Sequence, residues 1–224
     1  ATDPFLPHNY DQHDLSGKSL NKLALTDLLR LGGGGGWPLI GMVTRLTRQK
    51  GIDLLPEVLP KLLQERDVRF VALGSGETQY ERFLHELQQQ FPGRVVFYTG
   101  YSEELAHFIE AAADIFLMPS LYEPCGLNQL YSLKYGTVPV VRRTGGLADS
   151  VQHFDPRTGQ GTGIVFNDFD AGGLHWALQT ALEWYGWPSV WHRLAQNGMQ
   201  QDFSWDARIG EYEALYEELG VSRK

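Results

Sequence analysis

Six short apolar segments, each rich in branched residues, alternate with stretches whose apolar residues recur at helical spacing, and this alternation leaves few architectures open. Pro38 to Thr44, Val68 to Leu73, Arg94 to Thr99, Ile115 to Pro119, Thr137 to Val141 and Gly163 to Phe166 read as strands. Between the first two, Leu54, Leu55, Val58, Leu59 and Leu62 trace one buried stripe of an amphipathic helix. Glu77 to Gln90, Glu103 to Ala113 and Leu127 to Lys134 supply further crossovers. Strands of near-continuous hydrophobicity are buried on both faces, which requires a parallel sheet covered by helices. The expected fold is therefore α/β, a Rossmann-like doubly wound parallel sheet of six strands. After residue 166 the pattern is helical at Ala171 to Trp184, Val190 to Gly198 and Trp205 to Leu219; the last carries Ile209, Tyr212, Leu215, Tyr216 and Leu219, an apolar face that must dock somewhere. A helical stretch, Leu15 to Leu31, precedes the first strand. The glycines Gly32 to Gly36 between them read as a flexible connector, because a phosphate cradle would follow a strand.

Charge and composition exclude several classes. With 19 Lys plus Arg against 27 Asp plus Glu the formal charge is −8, contrary to the basic face that nucleic acid requires. Hydrophobic residues at 42% suffice for one sizeable core, and one compact domain is expected. No apolar run approaches the roughly 20 residues that span a bilayer. The single cysteine, Cys125, rules out an internal disulfide and fits a reducing compartment. The start, Ala1-Thr2-Asp3-Pro4, shows no export signal and lacks an initiating methionine, consistent with a cut or processed piece. The seven histidines are scattered, so neither a metal site nor a cofactor is expected.

In a doubly wound sheet the ligand lies at the carboxyl ends of the strands, near the point where connectivity reverses. After the first strand comes Thr44-Arg45-Leu46-Thr47-Arg48-Gln49-Lys50-Gly51; Arg45 offers a planar fork and Lys50 a mobile point charge ahead of a helix start, a receptor for a diphosphate or else a solvated basic loop. After the second, Gly74-Ser75-Gly76-Glu77 lacks the third glycine of a dinucleotide fingerprint, since Gln79 occupies that place. Tyr101, beyond the third strand, offers a ring that can stack on a base. The fourth strand feeds Met118-Pro119-Ser120-Leu121-Tyr122-Glu123-Pro124-Cys125-Gly126-Leu127-Asn128-Gln129-Leu130-Tyr131. There a carboxylate, Glu123, can face sugar hydroxyls while the free amides of Gly126, Leu127 and Asn128 face phosphate oxygens. The alternatives are an ordinary surface acid and, for Cys125, a small buried hydrophobe. The fifth strand ends in Arg142-Arg143-Thr144-Gly145-Gly146-Leu147, another glycine turn opening a helix. Together these strand ends suit one large anionic ligand lying across the carboxyl edge.

As a set, these loops resemble the C-terminal half of bacterial glycogen synthases and plant starch synthases, retaining glycosyltransferases of the glycosyltransferase-B fold. The carriers are the segments 45–51 and 119–131, Tyr135-Gly136-Thr137-Val138-Pro139-Val140, Thr144-Gly145-Gly146-Leu147 and Asp202-Phe203-Ser204-Trp205; the likeness runs from about Asp3 to Leu219. It implies a donor-binding domain for ADP-glucose, whose N-terminal companion supplies much of the acceptor site. By matching position, Arg45 and Lys50 would neutralise the diphosphate, Tyr101 would stack on adenine and Glu123 would bind glucose hydroxyls. Cys125, Gly126 and Leu127 would line the sugar pocket with backbone groups, with Asn128, Thr144, Gly145 and Gly146 alongside. Where related transferases carry a second glutamate, this chain has Tyr131, as the synthases do.

The resemblance implies transfer of glucose from ADP-glucose to the non-reducing end of an α-1,4-glucan with retention, in a bacterial cytoplasm or a plastid stroma. The expected organisation is a linker and helix over 1–31, the glycine connector 32–36, a nucleotide-sugar-binding domain over 37–204 and a C-terminal helix over 205–224 that packs on the missing N-terminal domain. Alone, the chain should bind ADP or ADP-glucose weakly and not turn over. The competing expectations are a UDP-sugar-dependent transferase domain, a noncatalytic glucan- or partner-binding module suggested by the six tryptophans, and a dinucleotide-dependent oxidoreductase domain.

Overall fold

The computed structural model describes residues 2–220; Ala1 and residues 221–224, the end of the expected C-terminal helical segment, lie outside the described residues. The elements run α1 (Ser16–Leu28), β1 (Leu39–Val43), two short 3-10 turns (Arg48–Lys50 and Ile52–Leu54), α2 (Leu55–Glu65), β2 (Arg69–Gly74), α3 (Thr78–Gln90), β3 (Val95–Thr99), α4 (Glu103–Ala112) and β4 (Ile115–Met118). They continue with α5 (Asn128–Lys134), β5 (Val138–Arg142), α6 (Gly145–Ser150), β6 (Ile164–Phe166), α7 (Ala171–Tyr185), α8 (Pro188–Met199) and α9 (Trp205–Glu218). All six expected strands are present, paired in parallel in the order β3-β2-β1-β4-β5-β6. Connectivity reverses between β1 and β4, so the loops leaving those two strands open side by side.

Both faces of the sheet are covered, which explains why the strands lack polar alternation. Ile40 and Met42 of β1 with Phe70 and Ala72 of β2 point into a core shared with α2, α3 and α7. Leu39, Val71 and Leu73 point the other way, against α1 and α4. Leu55, Val58, Leu59 and Leu62, the stripe legible in the sequence, are all buried. The 1–31 segment packs on this second face: Leu25 and Leu31 join its core, and the Tyr10 hydroxyl donates to the carbonyls of Ala111 and Tyr135.

The seam between β1 and β4 is the shortest ladder of the inner sheet, with only two residue pairs in register, Ile40 with Ile115 and Gly41 with Phe116. At its amino end sits a buried ion pair. Lys22 Nζ lies 2.7 Å from Asp114 Oδ2 and also donates to the Trp37 carbonyl, while the same carboxylate oxygen accepts from the Leu39 amide at 2.8 Å. Full pairing is what makes two buried charges tolerable there.

The helix α9 contrasts with everything before it. Trp205, Ile209, Tyr212, Leu215, Tyr216 and Leu219 are all at least half exposed or nearly so, and its N-cap Ser204 accepts from the Ala207 amide. Their spacing puts an apolar stripe on one side of a helix whose described residues do not cover it.

Candidate active site at the carboxyl edge of the sheet

The loop after β1 is fixed to both of its neighbours. Leu46 is buried, its amide donating to Ser75 O and its carbonyl accepting from Glu77 N, which ties the loop to the turn after β2. On the other side Gln49 O accepts from the Leu121 amide at 2.9 Å, tying it to the loop after β4. Gly51 is required at this junction: its φ is +74°, and a Cβ there would lie 2.0 Å from the Pro119 carbonyl oxygen. These constraints place Lys50 Nζ 2.5 Å from Glu123 Oε2, a partly buried pair to which the Ser120 hydroxyl adds a longer contact at 3.3 Å. Arg45 is exposed and carries no ion pair among the described residues.

Two adjoining cavities open at this edge and share Val43, Thr44, Arg45 and Asn128. One, of about 360 Å³, is lined by Lys50, Ser120, Glu123, Gly126 and Leu127. The other, of about 550 Å³, extends past Gly74 and Tyr101 into the groove between α4 and α5, where Glu110, Tyr131 and Tyr135 form the wall. Tyr101 presents an exposed ring at the mouth. The first cavity thus carries the charged groups Arg45, Lys50 and Glu123, and the second offers an aromatic platform; an extended ligand with an anionic middle fits the pair.

Of the residues singled out from sequence, Arg45, Lys50, Tyr101, Glu123, Gly126, Leu127 and Asn128 line one cavity or both. The backbone amides of Gly126, Leu127 and Asn128 have no acceptor among the described residues. The Asn128 side chain does, donating to the Val43 carbonyl at 2.8 Å, so this amide ties α5 to the end of β1. Cys125, Thr144, Gly145 and Gly146 line neither cavity; Cys125 is on the Glu123 loop itself, and Gly145 and Gly146 press against the carbonyls of Glu123 and Cys125. The thiol of Cys125 is exposed, which removes the reading of a buried hydrophobe.

Several residues at the site escaped the sequence reading. Arg142 Nε donates to Ser120 O at 2.9 Å and its guanidinium also reaches the Leu121 carbonyl, bracing the loop after β4 from below. Glu110 is buried, and burial pushes its carboxyl up to about 8, leaving it neutral at pH 7. Asp3 bonds His107 Nδ1 at 2.8 Å and the Tyr135 hydroxyl under the same cavity. Burial pushes the Asp3 carboxyl up, but hydrogen bonds from Tyr135, His107 and the Phe5 amide outweigh it and hold the group below the ordinary carboxylate range. Long-range pairing singles out Arg142 and Asp3, and burial singles out Glu110; no local motif marks either. Among the described residues no cluster of three or more His, Cys, Asp or Glu is placed to hold a metal ion, and no helix is long and apolar enough to cross a membrane.

The six-stranded parallel sheet in this order, with cations at its switch point, matches one half of a glycosyltransferase-B fold. The chain belongs to the family described as Glycosyl transferases group 1, whose profile matches residues 34–201. It is 44% identical over 217 residues to a glycogen synthase of Geobacillus thermodenitrificans, covering 97% of this chain and 44% of that protein. A glycogen synthase of Hydrogenovibrio crunogenus is 46% identical, with 97% and 46% covered. Among solved structures, the catalytic domain of starch synthase IV from Arabidopsis thaliana bound to ADP and acarbose superposes with a TM-score of 0.89 at 39% identity, over all of this chain and 46% of that one. The chain therefore spans about half the length of the curated relatives it matches. Membership of a transferase family sets aside the oxidoreductase expectation.

Proposed function

We propose that this chain is the donor-binding half of a glucan synthase that transfers glucose from ADP-glucose to the non-reducing end of an α-1,4-glucan with retention. The observation that carries the reading is the Lys50 to Glu123 contact between the loops after β1 and β4, with Arg45, which has no ion pair among the described residues, beside it. Arg45 and Lys50 neutralise the diphosphate and, as the bond to glucose breaks, the charge growing on the departing phosphate; prepositioned cations do this without reorganisation. Tyr101 stacks on adenine. Glu123 binds glucose hydroxyls, and the free amides of Gly126 and Leu127 face the sugar and phosphate, with Cys125, Asn128, Thr144, Gly145 and Gly146 forming the frame around them. The ADP bound to the starch synthase relative supports an adenine nucleotide.

Half of a two-domain transferase lacks the second wall that excludes water and brings the acceptor, so the chain alone binds donor weakly and does not turn over. The exposed stripe of α9 docks on the absent half. A reducing compartment, bacterial cytoplasm or plastid stroma, suits a chain with one cysteine. Calorimetric titration with ADP and with UDP tests the reading. ADP should bind more tightly, and Lys50→Ala should weaken it; equal or tighter UDP binding favours the UDP-sugar alternative. Retention on a glucan affinity gel with no nucleotide effect would favour a noncatalytic module.

A further inference from the structure

The loop that carries Glu123 is held from behind by one buried amide. Gln129, only 1% exposed, donates through Nε2 to the carbonyls of Cys125 and Gly126, each at 3.0 Å, and approaches Ser150 Oγ at 3.2 Å. The Ser150 hydroxyl in turn donates to the Gly146 carbonyl at 2.5 Å. Gly146 closes the circuit, its own amide donating to Glu123 O at 3.0 Å; a Cβ on it would lie 2.0 Å from the Cys125 carbonyl oxygen. The turn after β5 is thereby pressed against the loop after β4 and bonded to it through two side chains.

Neither Gln129 nor Ser150 lines either of the two cavities at the site. Gln129 Oε1 is buried and has no partner among the described residues, an unfavourable arrangement for an amide whose nitrogen side is fully used. A neutral group able to donate more than one N–H is what the converging carbonyls demand. A carboxylate in the same place donates none and would face them with like charge.

We propose that Gln129 and Ser150 are positioning residues that set the sugar-facing part of the donor site, and so govern how far the protein prefers a glucose-bearing diphosphate to the bare one. This rests on the proposed function. The cations Arg45 and Lys50 sit on the loop after β1, whose anchors are Leu46 to the β2 turn and Gln49 to Leu121. The Glu123 carboxylate and the Gly126 and Leu127 amides sit on the loop the clamp holds. Loosening the clamp therefore costs ADP-glucose the Glu123 contact to the sugar as well as the Gly126 and Leu127 amides, and costs ADP the amides alone, the cations Arg45 and Lys50 staying on their own loop.

The test is calorimetric titration of the 224-residue chain and its Ser150→Ala and Gln129→Glu variants with ADP and with ADP-glucose, together with amide hydrogen exchange over residues 123–128 and 144–147. Both variants should lose about tenfold in ADP-glucose affinity, the scale of one lost hydrogen-bonding partner, with a smaller loss for ADP. Exchange should quicken in those two segments and not in α7. If Gln129→Glu does not fold, Ser150→Ala, which deletes one hydroxyl, carries the test. Equal losses for the two ligands, or unchanged affinity and exchange in a folded variant, overturn the clamp. Wild-type protein that binds neither ligand overturns the proposed function, and the clamp with it.

Discussion

Lys50 Nζ and Glu123 Oε2 are 2.5 Å apart, although 73 residues separate them in sequence. The contact spans the point where the winding of the sheet reverses, and it leaves the cation positioned before any ligand arrives. In the proposed function a diphosphate entering the cavity would share Lys50 with a carboxylate already in place, and the pair would serve both the fold and the site.

Replacing Lys50 by Ala should therefore cost stability as well as affinity. Glu123 is largely buried, and removing its partner leaves an uncompensated charge, a change on the order of 3 kcal/mol in favourable cases. Urea denaturation should show this loss for Lys50→Ala and a recovery in Lys50→Ala/Glu123→Gln, while ADP affinity stays low in both.

Arg45→Ala should separate the two effects. Its guanidinium is exposed and has no partner among the described residues, so the unfolding free energy should move by less than about 0.5 kcal/mol. ADP affinity, read by calorimetry, should fall by about tenfold, the scale of one charge-assisted contact. An unchanged affinity would remove Arg45 from the diphosphate site.

Glu110 should give stability a definite pH dependence. Burial raises its folded-state value to about 8 from an ordinary 4.5, so the folded protein holds a proton that the unfolded chain releases. Its contribution is whole below about pH 4.5 and is lost progressively as pH rises through about 8. Urea midpoints of wild type and Glu110→Gln, measured from pH 5 to 8, should diverge, the variant gaining relative stability toward the alkaline end. Parallel curves would show that Glu110 is charged in the folded protein.

The α9 stripe should be separable from the fold of this chain. Ile209→Glu with Tyr216→Glu should leave the thermal midpoint unchanged, because both residues are exposed, and should reduce self-association in sedimentation velocity. A large loss of stability would show that the stripe packs within the chain.

The sheet was legible because burial on both faces leaves an unmistakable apolar signature at Leu39 to Val43 or Val138 to Val141, and the helices between carry their stripes openly. The cations and the Glu123 loop were legible because strand ends of a doubly wound sheet are where ligands bind. What lay hidden was polar and nonlocal. Gln129 looks in sequence like any residue of a short helix, and its role depends on Ser150 and Gly146, brought near only by the turn after β5. Asn128 lines both cavities, but the bond from its side-chain amide to the end of β1 has no mark in the sequence. Asp3 gains its partners, His107 and Tyr135, across more than a hundred residues.

The β1 to β4 seam has ionic locks at both extremities: Lys22 with Asp114 where the strands begin and Lys50 with Glu123 beyond where they end. A junction carrying just two registered residue pairs would otherwise be the natural fault line of the sheet. With a charge pair at each end, the seam is held by more than its own ladder.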